Sequence, residues 1–398
     1  MKSERSKDMF MDTSHGLTAE RACSRAWIEI NLKNLRHNIA LLRTFLQPNS
    51  NIIAVVKADA YGHKANIVAP CMQEMGIRSF AVATLDEAIE LRKAGITGTI
   101  LILGHTDPLF LRELLEYRIT QTVIDKAHGI QLDAAAAQAG QIPEVHLKID
   151  SGMHRLGIDT RQPEDAAAMF ALENLNITGI YTHLAATDSI AGEDIAYTRR
   201  QIDAFNGLLR TLQGMNIQIP LTHMQNSYGL LNYPDVCCDS VRIGASLYGM
   251  GSKEPHKSNV IIDLRPVLSL RARIVMIRTL EKGECFGYGM MFRADRKSRI
   301  AILPLGYVEG LPRKLACGRG TALVHGRRVP FAGLVCMDQL ALDVTDVPDA
   351  KPGDTVTLIG RDGEEEIGIV DVAEAAETLH VEILCRIGQR VATVVIDE

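Results

Sequence analysis

What the 398-residue chain lacks narrows the field first. Its eight cysteines form no CxxC pair and no zinc-ligand spacing, so neither a disulfide scaffold nor a metal site is expected. Cys237 and Cys238 are adjacent, where a bond would be strained, and thinly spread thiols suit a reducing compartment. No stretch approaches the roughly 18 uninterrupted apolar residues of a membrane span. No apolar run follows Lys2, Arg5 and Lys7, so a secretory signal is not expected either. With 43 basic against 48 acidic residues the net charge is −5, without the basic excess of a nucleic-acid binder. HExxH, Walker and GxGxxG motifs are absent, which leaves metal proteases and nucleotide enzymes unsupported. There is no internal repeat. What remains is a globular, cytoplasmic protein whose 46% hydrophobic content suits a large core.

What is present has a clear grammar. Short apolar runs alternate with amphipathic stretches: Ile52 to Val56, Phe80 to Ala83, Thr99 to Leu103, Thr120 to Ile124, Val145 to Ile149, Ile177 to Thr182, Ile219 to His223 and Ser240 to Ile243. Near-continuous apolar strands are expected when helices cover both faces of a parallel sheet. Leu85 to Ala94, Pro108 to Tyr117, Lys126 to Ala139 and Asp194 to Leu212 read as helices, with Asp125 as an N-cap. Eight alternations predict a (β/α)8 barrel, an α/β fold, although strand count alone leaves an open doubly wound sheet as the alternative. Beyond Pro255 the pattern changes to runs such as Val267 to Thr279, Ser298 to Pro304, Thr321 to Val324, Gln339 to Val344 and Thr355 to Ile359. Turns rich in Gly, Pro and Asp separate them, predicting an all-β domain with a short helix over Val370 to Glu377. The expected layout is a flexible tail over 1–25, the barrel over 26–260 and the β-rich domain over 261–398.

Chemistry is expected at the strand ends. Lys57 closes the first barrel run, and burial there would depress its amine pKa, as a Schiff base with an aldehyde cofactor requires. A lone lysine at that point equally reads as one emerging into solvent or a salt bridge. Arg242 and the Gly244-Ala245 turn end the last barrel run, where barrels often bind phosphate, and Asn226-Ser227 offers a hydroxyl. Ordinary turn chemistry would give the same residues. His63, His105 and His223 read as structural histidines, at most supporting a site.

Several segments together resemble one family. Val55-Val56-Lys57-Ala58-Asp59-Ala60-Tyr61-Gly62-His63 is similar to the pyridoxal-phosphate lysine motif of the alanine racemases. The resemblance continues in Lys148-Ile149-Asp150-Ser151-Gly152-Met153-His154-Arg155, Tyr181-Thr182-His183, Asn226-Ser227, Val241-Arg242-Ile243-Gly244, Gly287-Tyr288-Gly289, Leu305-Gly306-Tyr307 and Cys336-Met337-Asp338. It implies a barrel followed by a β-rich domain, pyridoxal 5'-phosphate as cofactor, and interconversion of L- and D-alanine for cell wall. By that pattern Lys57 binds the cofactor and serves as the D-side base, while Tyr288 is the L-side base supported by His183. Tyr61, Ser227, Gly244 and Ala245 fall where the family binds phosphate, and Arg242 faces the pyridine nitrogen. Arg155, Met337 and Asp338 match the substrate-carboxylate region. Lys148 stands where many members carry a carbamylated lysine. The family completes its active sites across a homodimer, so a homodimer is expected, with no nucleic-acid or membrane partner.

Two departures bear on substrate. Val381 stands where many alanine racemases have tyrosine, and Leu334 replaces a frequent entrance arginine. The serine racemases of glycopeptide resistance also lack that tyrosine and are similar around Gly287 to Phe292. Serine or dual serine/alanine racemisation is therefore the alternative reading. A non-catalytic pyridoxal-phosphate-binding protein and a decarboxylase on this fold are further classes; Tyr288 argues against the first and Arg242 against the second.

Overall fold

The computed structural model describes residues 9–11, 19–251, 257–258, 260–388 and 390–397. The chain divides into two compact units. One holds Leu35–Ala60 and Lys64–Arg265; the other holds Met1–Asn34, Tyr61–His63 and Pro266–Glu398.

The first unit is a closed parallel barrel. Its strands are β1 (Asn51–Val55), β2 (Ser79–Val82), β3 (Thr99–Ile102), β4 (Thr120–Val123), β5 (Glu144–Asp150), β6 (Asn176–Tyr181), β7 (Leu221–His223) and β8 (Ser240–Ile243). Each pairs in parallel with its successor, and β8 returns to β1 through Arg242 opposite Ile53. An open sheet is thereby excluded. All eight strands lie within a residue or two of the runs read from the sequence, because apolar β-branched residues buried on both faces admit little else. The helix caps also behave as expected. Thr84 and Glu87 form a capping box, and the Asp125 carboxylate accepts from the His128 N–H at 2.7 Å. The long helix Gly192–Gly214 buries Ile202, Phe205, Leu208 and Leu212, a helical stripe turned into the apolar core with Val145, Leu147 and Ile149.

The second unit is β-rich. One sheet runs Met9–Met11, Ala392–Ile396, Ala26–Asn31, Leu268–Arg273, Thr355–Asp362, Thr321–Val324 and Arg327–Pro330. A smaller sheet joins Met276–Leu280, Ser298–Leu303 and Leu340–Asp343. The expected single run Val267 to Thr279 is split between the two. At the crossing, the Ile274 N–H turns to the Asp354 carbonyl and that of Val275 to the Ile302 carbonyl. Two further expectations are corrected. The segment 26–34 does not open the barrel: Ala26–Asn31 pairs with Leu268–Arg273 and Ala392–Ile396. Nor is 1–25 wholly a tail, since Met9–Met11 adds an antiparallel edge strand and Ala19–Ala22 is a helical turn; the rest of 1–18 lies outside the described residues. The helix read over Val370 to Glu377 forms at Ile369–Ala376, and His380–Cys385 adds another. No helix among the described residues is long and apolar enough to cross a membrane.

Candidate active site

Lys57 follows Val56 at the C-terminal end of β1, half-buried. After it the backbone does something L-residues resist. Ala58, Asp59, Ala60 and Tyr61 all take left-handed φ of 53° to 56°, at a cost of roughly 1–2 kcal/mol per residue. Carboxylates hold the turn. Glu87 accepts from the N–H groups of Ala58 (2.6 Å) and Ala83 (2.7 Å). Asp59 accepts from the Ala65 N–H at 2.7 Å and pairs with Lys64 at 2.9 Å. Strain kept by such over-determined contacts fixes where a side chain emerges. Tyr61 lies among the residues of the β-rich unit; burial, with the nearby Cys385 thiol adding, pushes its phenol up to about 12. It therefore keeps its proton and can donate.

Arg242 on β8 is buried, and no carboxylate among the described residues pairs with it. One terminal nitrogen donates to His223 Nδ1 (2.7 Å) and to the His223 carbonyl (3.1 Å). The other donates to the carbonyls of Thr182 (2.8 Å) and Met224 (3.2 Å) and to His183 Nδ1 (3.1 Å). Arginine only donates, so both imidazoles must accept at Nδ1 and carry their proton on Nε2. His223 Nε2 then donates to His146 Nδ1 at 2.9 Å. Burial pushes Arg242 down to about 10, which still leaves it charged at neutral pH. Burial first and Arg242 second push His146 down to about 4, and both drive His223 and His183 well below the ordinary range.

Burial lowers His183 most, and Arg242, Lys148, Arg155 and Lys57 push it further in the same direction. Lys148 on β5 is buried, donates to the Ile149 carbonyl at 2.7 Å and lies 5.2 Å from the centre of the Tyr181 ring. Burial, reinforced by Arg242, lowers its amine to about 7. Tyr181 stacks on His223 at 4.5 Å and has the Arg242 guanidinium 5.0 Å from its ring centre. Nearby, the Ser227 hydroxyl receives the N–H groups of Gly244 (3.3 Å) and Ser246 (3.4 Å), with Ala245 between them. These are donors an anion could share. Strand-end cations with backbone donors suit a ligand bearing negative charge.

In the β-rich unit, Tyr288 is 74% exposed. It lines a cleft of about 300 Å³ with Phe286, Gly287, Leu334, Cys336 and Gln339. Leu334 thus contributes apolar wall where an arginine was the commoner expectation. Asp338 accepts from Arg390 at 2.7 Å. Met337 is half exposed. Val381 is half-buried on the helix His380–Cys385.

Within the barrel, then, Lys57, Lys148, Arg155, His183 and Arg242 form one electrostatic group, and Ser227, Gly244 and Ala245 a second cluster. Tyr61, Tyr288, Met337 and Asp338 belong to the other unit. Sequence reasoning did not single out His146, Tyr181 or Glu309, and read His223 as at most supporting a site; it bonds Arg242 directly. Buried histidines on neighbouring barrel strands were the available signal for the first and last of these.

The described residues thus comprise a closed (β/α)8 barrel carrying Lys57, Lys148, His183 and Arg242 and, as a separate unit, a β-rich domain whose exposed Tyr288 lines a cleft. The alanine racemase N-terminal domain family matches residues 30–252, and the alanine racemase C-terminal domain family matches 267–395. An amino-acid racemase of Enterococcus faecalis is 43% identical over 92% of this chain and 51% of its own length, so the chain spans about half of that relative. An alanine racemase of Halothermothrix orenii is 39% identical over 94% of this chain and 97% of its own. A serine/alanine racemase of Enterococcus gallinarum is 37% identical over 92% of the chain and 51% of its own length. Among solved structures, alanine racemase from Clostridium difficile 630 superposes with a TM-score of 0.88 at 32% identity, over 94% of this chain and 96% of that one. The chain belongs to the alanine racemase family.

Proposed function

We propose that the protein is a pyridoxal-phosphate-dependent alanine racemase, interconverting L- and D-alanine by two bases and supplying D-alanine for peptidoglycan in the cytoplasm. The observation that carries this is the buried Arg242, held by His223, His183 and carbonyls with no carboxylate partner among the described residues, sharing the Tyr181 ring with Lys148 and standing on the strand that leads to the Ser227–Gly244–Ser246 donors. Such a group fits a phosphate-bearing cofactor and a carboxylate substrate together. Pyridoxal phosphate supplies, when bound, the electron sink that lets the Cα proton leave.

The chain's own residues do the rest. Lys57 carries the cofactor on its amine. The same amine would hold or return the proton on the D-side when it is not bound to the cofactor. Ser227, Gly244, Ala245 and Tyr61 hold the phosphate by donating to it. Arg242 would hydrogen-bond the ring nitrogen while keeping its own proton, since a guanidinium does not serve as an acid. His183, held neutral with its proton on Nε2, donates to Tyr288 and supports a phenolate that takes the L-side proton. Tyr288, Met337 and Asp338 come from a second copy of the chain, in a homodimer with shared sites. Arg155 and the Met337 N–H bind the substrate carboxylate. Lys148, its amine pushed down to about 7, attacks carbon dioxide, forming a carbamate with loss of one proton, and so orients Arg155.

Serine, alone or beside alanine, is the second reading. Val381, Leu334 and the similarity to the E. gallinarum enzyme favour it. Cα-deuterium uptake in heavy water decides between them, with L-alanine and L-serine run in parallel and Lys57→Ala and Tyr288→Phe beside wild type. Faster alanine exchange supports the first reading and faster serine exchange the second. Exchange with neither leaves a non-catalytic pyridoxal-phosphate-binding protein. Carbon dioxide release from the amino acid would point to a decarboxylase.

A further inference from the structure

Glu309 is a carboxylate with no exposed surface, and the mechanism above makes no use of it. It accepts from Arg25 (2.6 Å), from Arg390 (2.6 Å) and from the Gly306 N–H (2.7 Å). The nitrogen of Arg390 that reaches Glu309 also reaches Asp338 at 2.7 Å. Arg390 therefore ties a buried carboxylate to the segment Cys336-Met337-Asp338.

The backbone makes the same connection. The N–H groups of Tyr307 and Val308 donate to the carbonyls of Cys336 (3.0 Å) and Met337 (3.2 Å). Gly306 allows this approach: a Cβ there would lie 2.1 Å from the Cys336 oxygen and 2.5 Å from that of Met337. On the far side of the turn, the Gly388 N–H donates to the Glu309 carbonyl at 3.3 Å, beside Arg390. The loop is thus gripped by its carbonyls and by the Asp338 carboxylate. Among the described residues nothing accepts from the Met337 N–H.

We propose that Arg390, with Glu309 and Arg25 behind it, is a positioning residue that aims the Met337 N–H at the substrate carboxylate. The proposal rests on the racemase reading, and its mechanism is geometric. Two carbonyls fixed on one side of the loop turn the intervening N–H outward. Arg390 then stops the loop from rocking about those bonds by holding Asp338, while the buried Glu309 fixes Arg390. A guanidinium serves here because it can bridge two carboxylates at defined angles.

The test uses the cofactor-loaded full chain and two probes: L-alanine, and propionate, which keeps the carboxylate but has no amine. In Arg390→Leu, the KM for L-alanine and the inhibition constant of propionate should rise together by about tenfold, with kcat within about twofold of wild type, because carboxylate binding is lost in ground and transition states alike. Arg390→Lys should recover most of that binding, and Glu309→Gln should move both constants in the same direction. Unchanged constants in these variants, with only a lowered melting midpoint, would make the cluster a structural rivet and overturn the proposal. A fall in kcat with propionate binding intact would overturn it too. A wild-type enzyme that exchanges no Cα proton would remove the racemase reading itself, and the proposal with it.

Discussion

The two units bury charge in opposite ways. In the barrel, Arg242 is surrounded by imidazole nitrogens and carbonyls, and beyond burial it pushes the Lys148 amine and the His183 imidazole down. In the β-rich unit, Glu309 receives two arginines and an amide. Burial alone would raise that carboxyl, but these donors outweigh it and hold it below its usual range. The difference separates two uses of a buried ion. A charge neutralised by its own protein is architecture, and one left with neutral partners is prepared for a ligand of opposite sign.

The comparison can be broken most severely at the proposed bases. Lys57→Ala should abolish cofactor attachment and lower racemisation by about a thousandfold or more, and Tyr288→Phe should cost on the order of 10²–10⁴ in kcat. Visible absorbance of the bound cofactor separates the two, since only the first variant should lose it. Next comes Glu309→Ala, which takes one partner from Arg25 and leaves Arg390 with Asp338. About 3–5 kcal/mol of stability should be lost, as expected when one partner of a buried ion cluster is removed, and urea unfolding reads it. Gly179→Ala is smaller. An added Cβ would sit 2.5 Å from the His146 ring, an overpacking of roughly 1–3 kcal/mol. Its companion readout is the His146 and His223 imidazole resonances, which should shift.

A further test is pH. His146 titrates near 4 when folded against about 6.5 unfolded, so the unfolded chain binds more protons between those values. Stability should therefore fall as pH drops from about 6.5 towards 4, with His183 and His223 acting in the same direction. Glu309 acts the same way in acid, because a depressed carboxyl loses its contribution as pH falls through its folded pKa. Lys148 has its window higher. Its amine is near 7 folded and about 10.4 unfolded, so its contribution falls from pH 10 down to 7 and is flat below. Lys148→Met should flatten that limb of a melting-temperature profile; an unchanged profile would show that Lys148 is charged or modified in the folded protein.

The same division explains what could be read in advance. All eight barrel strands were legible because each is a local apolar run whose partner is the next run along. Ala26–Asn31 was not, since its pattern resembles a barrel strand and its partners lie near residues 270 and 395. Lys57, Arg242 and Tyr288 were singled out through motifs, and their roles are those proposed above. The His146–His223 bond joins residues 77 apart, and the Arg25–Glu309 pair joins residues 284 apart. No periodicity encodes such pairings, because each depends on strands or turns brought side by side only after the fold has closed.

The strand Ala26–Asn31 also sets an order of events during synthesis. It is made roughly 360 residues ahead of its parallel neighbour Ala392–Ile396. At about 5–20 residues per second the wait is on the order of 20–70 seconds. The barrel segment, 35–265, is complete well before that. The strand's antiparallel neighbour Leu268–Arg273 is made sooner, and until then the strand is a natural client for a chaperone.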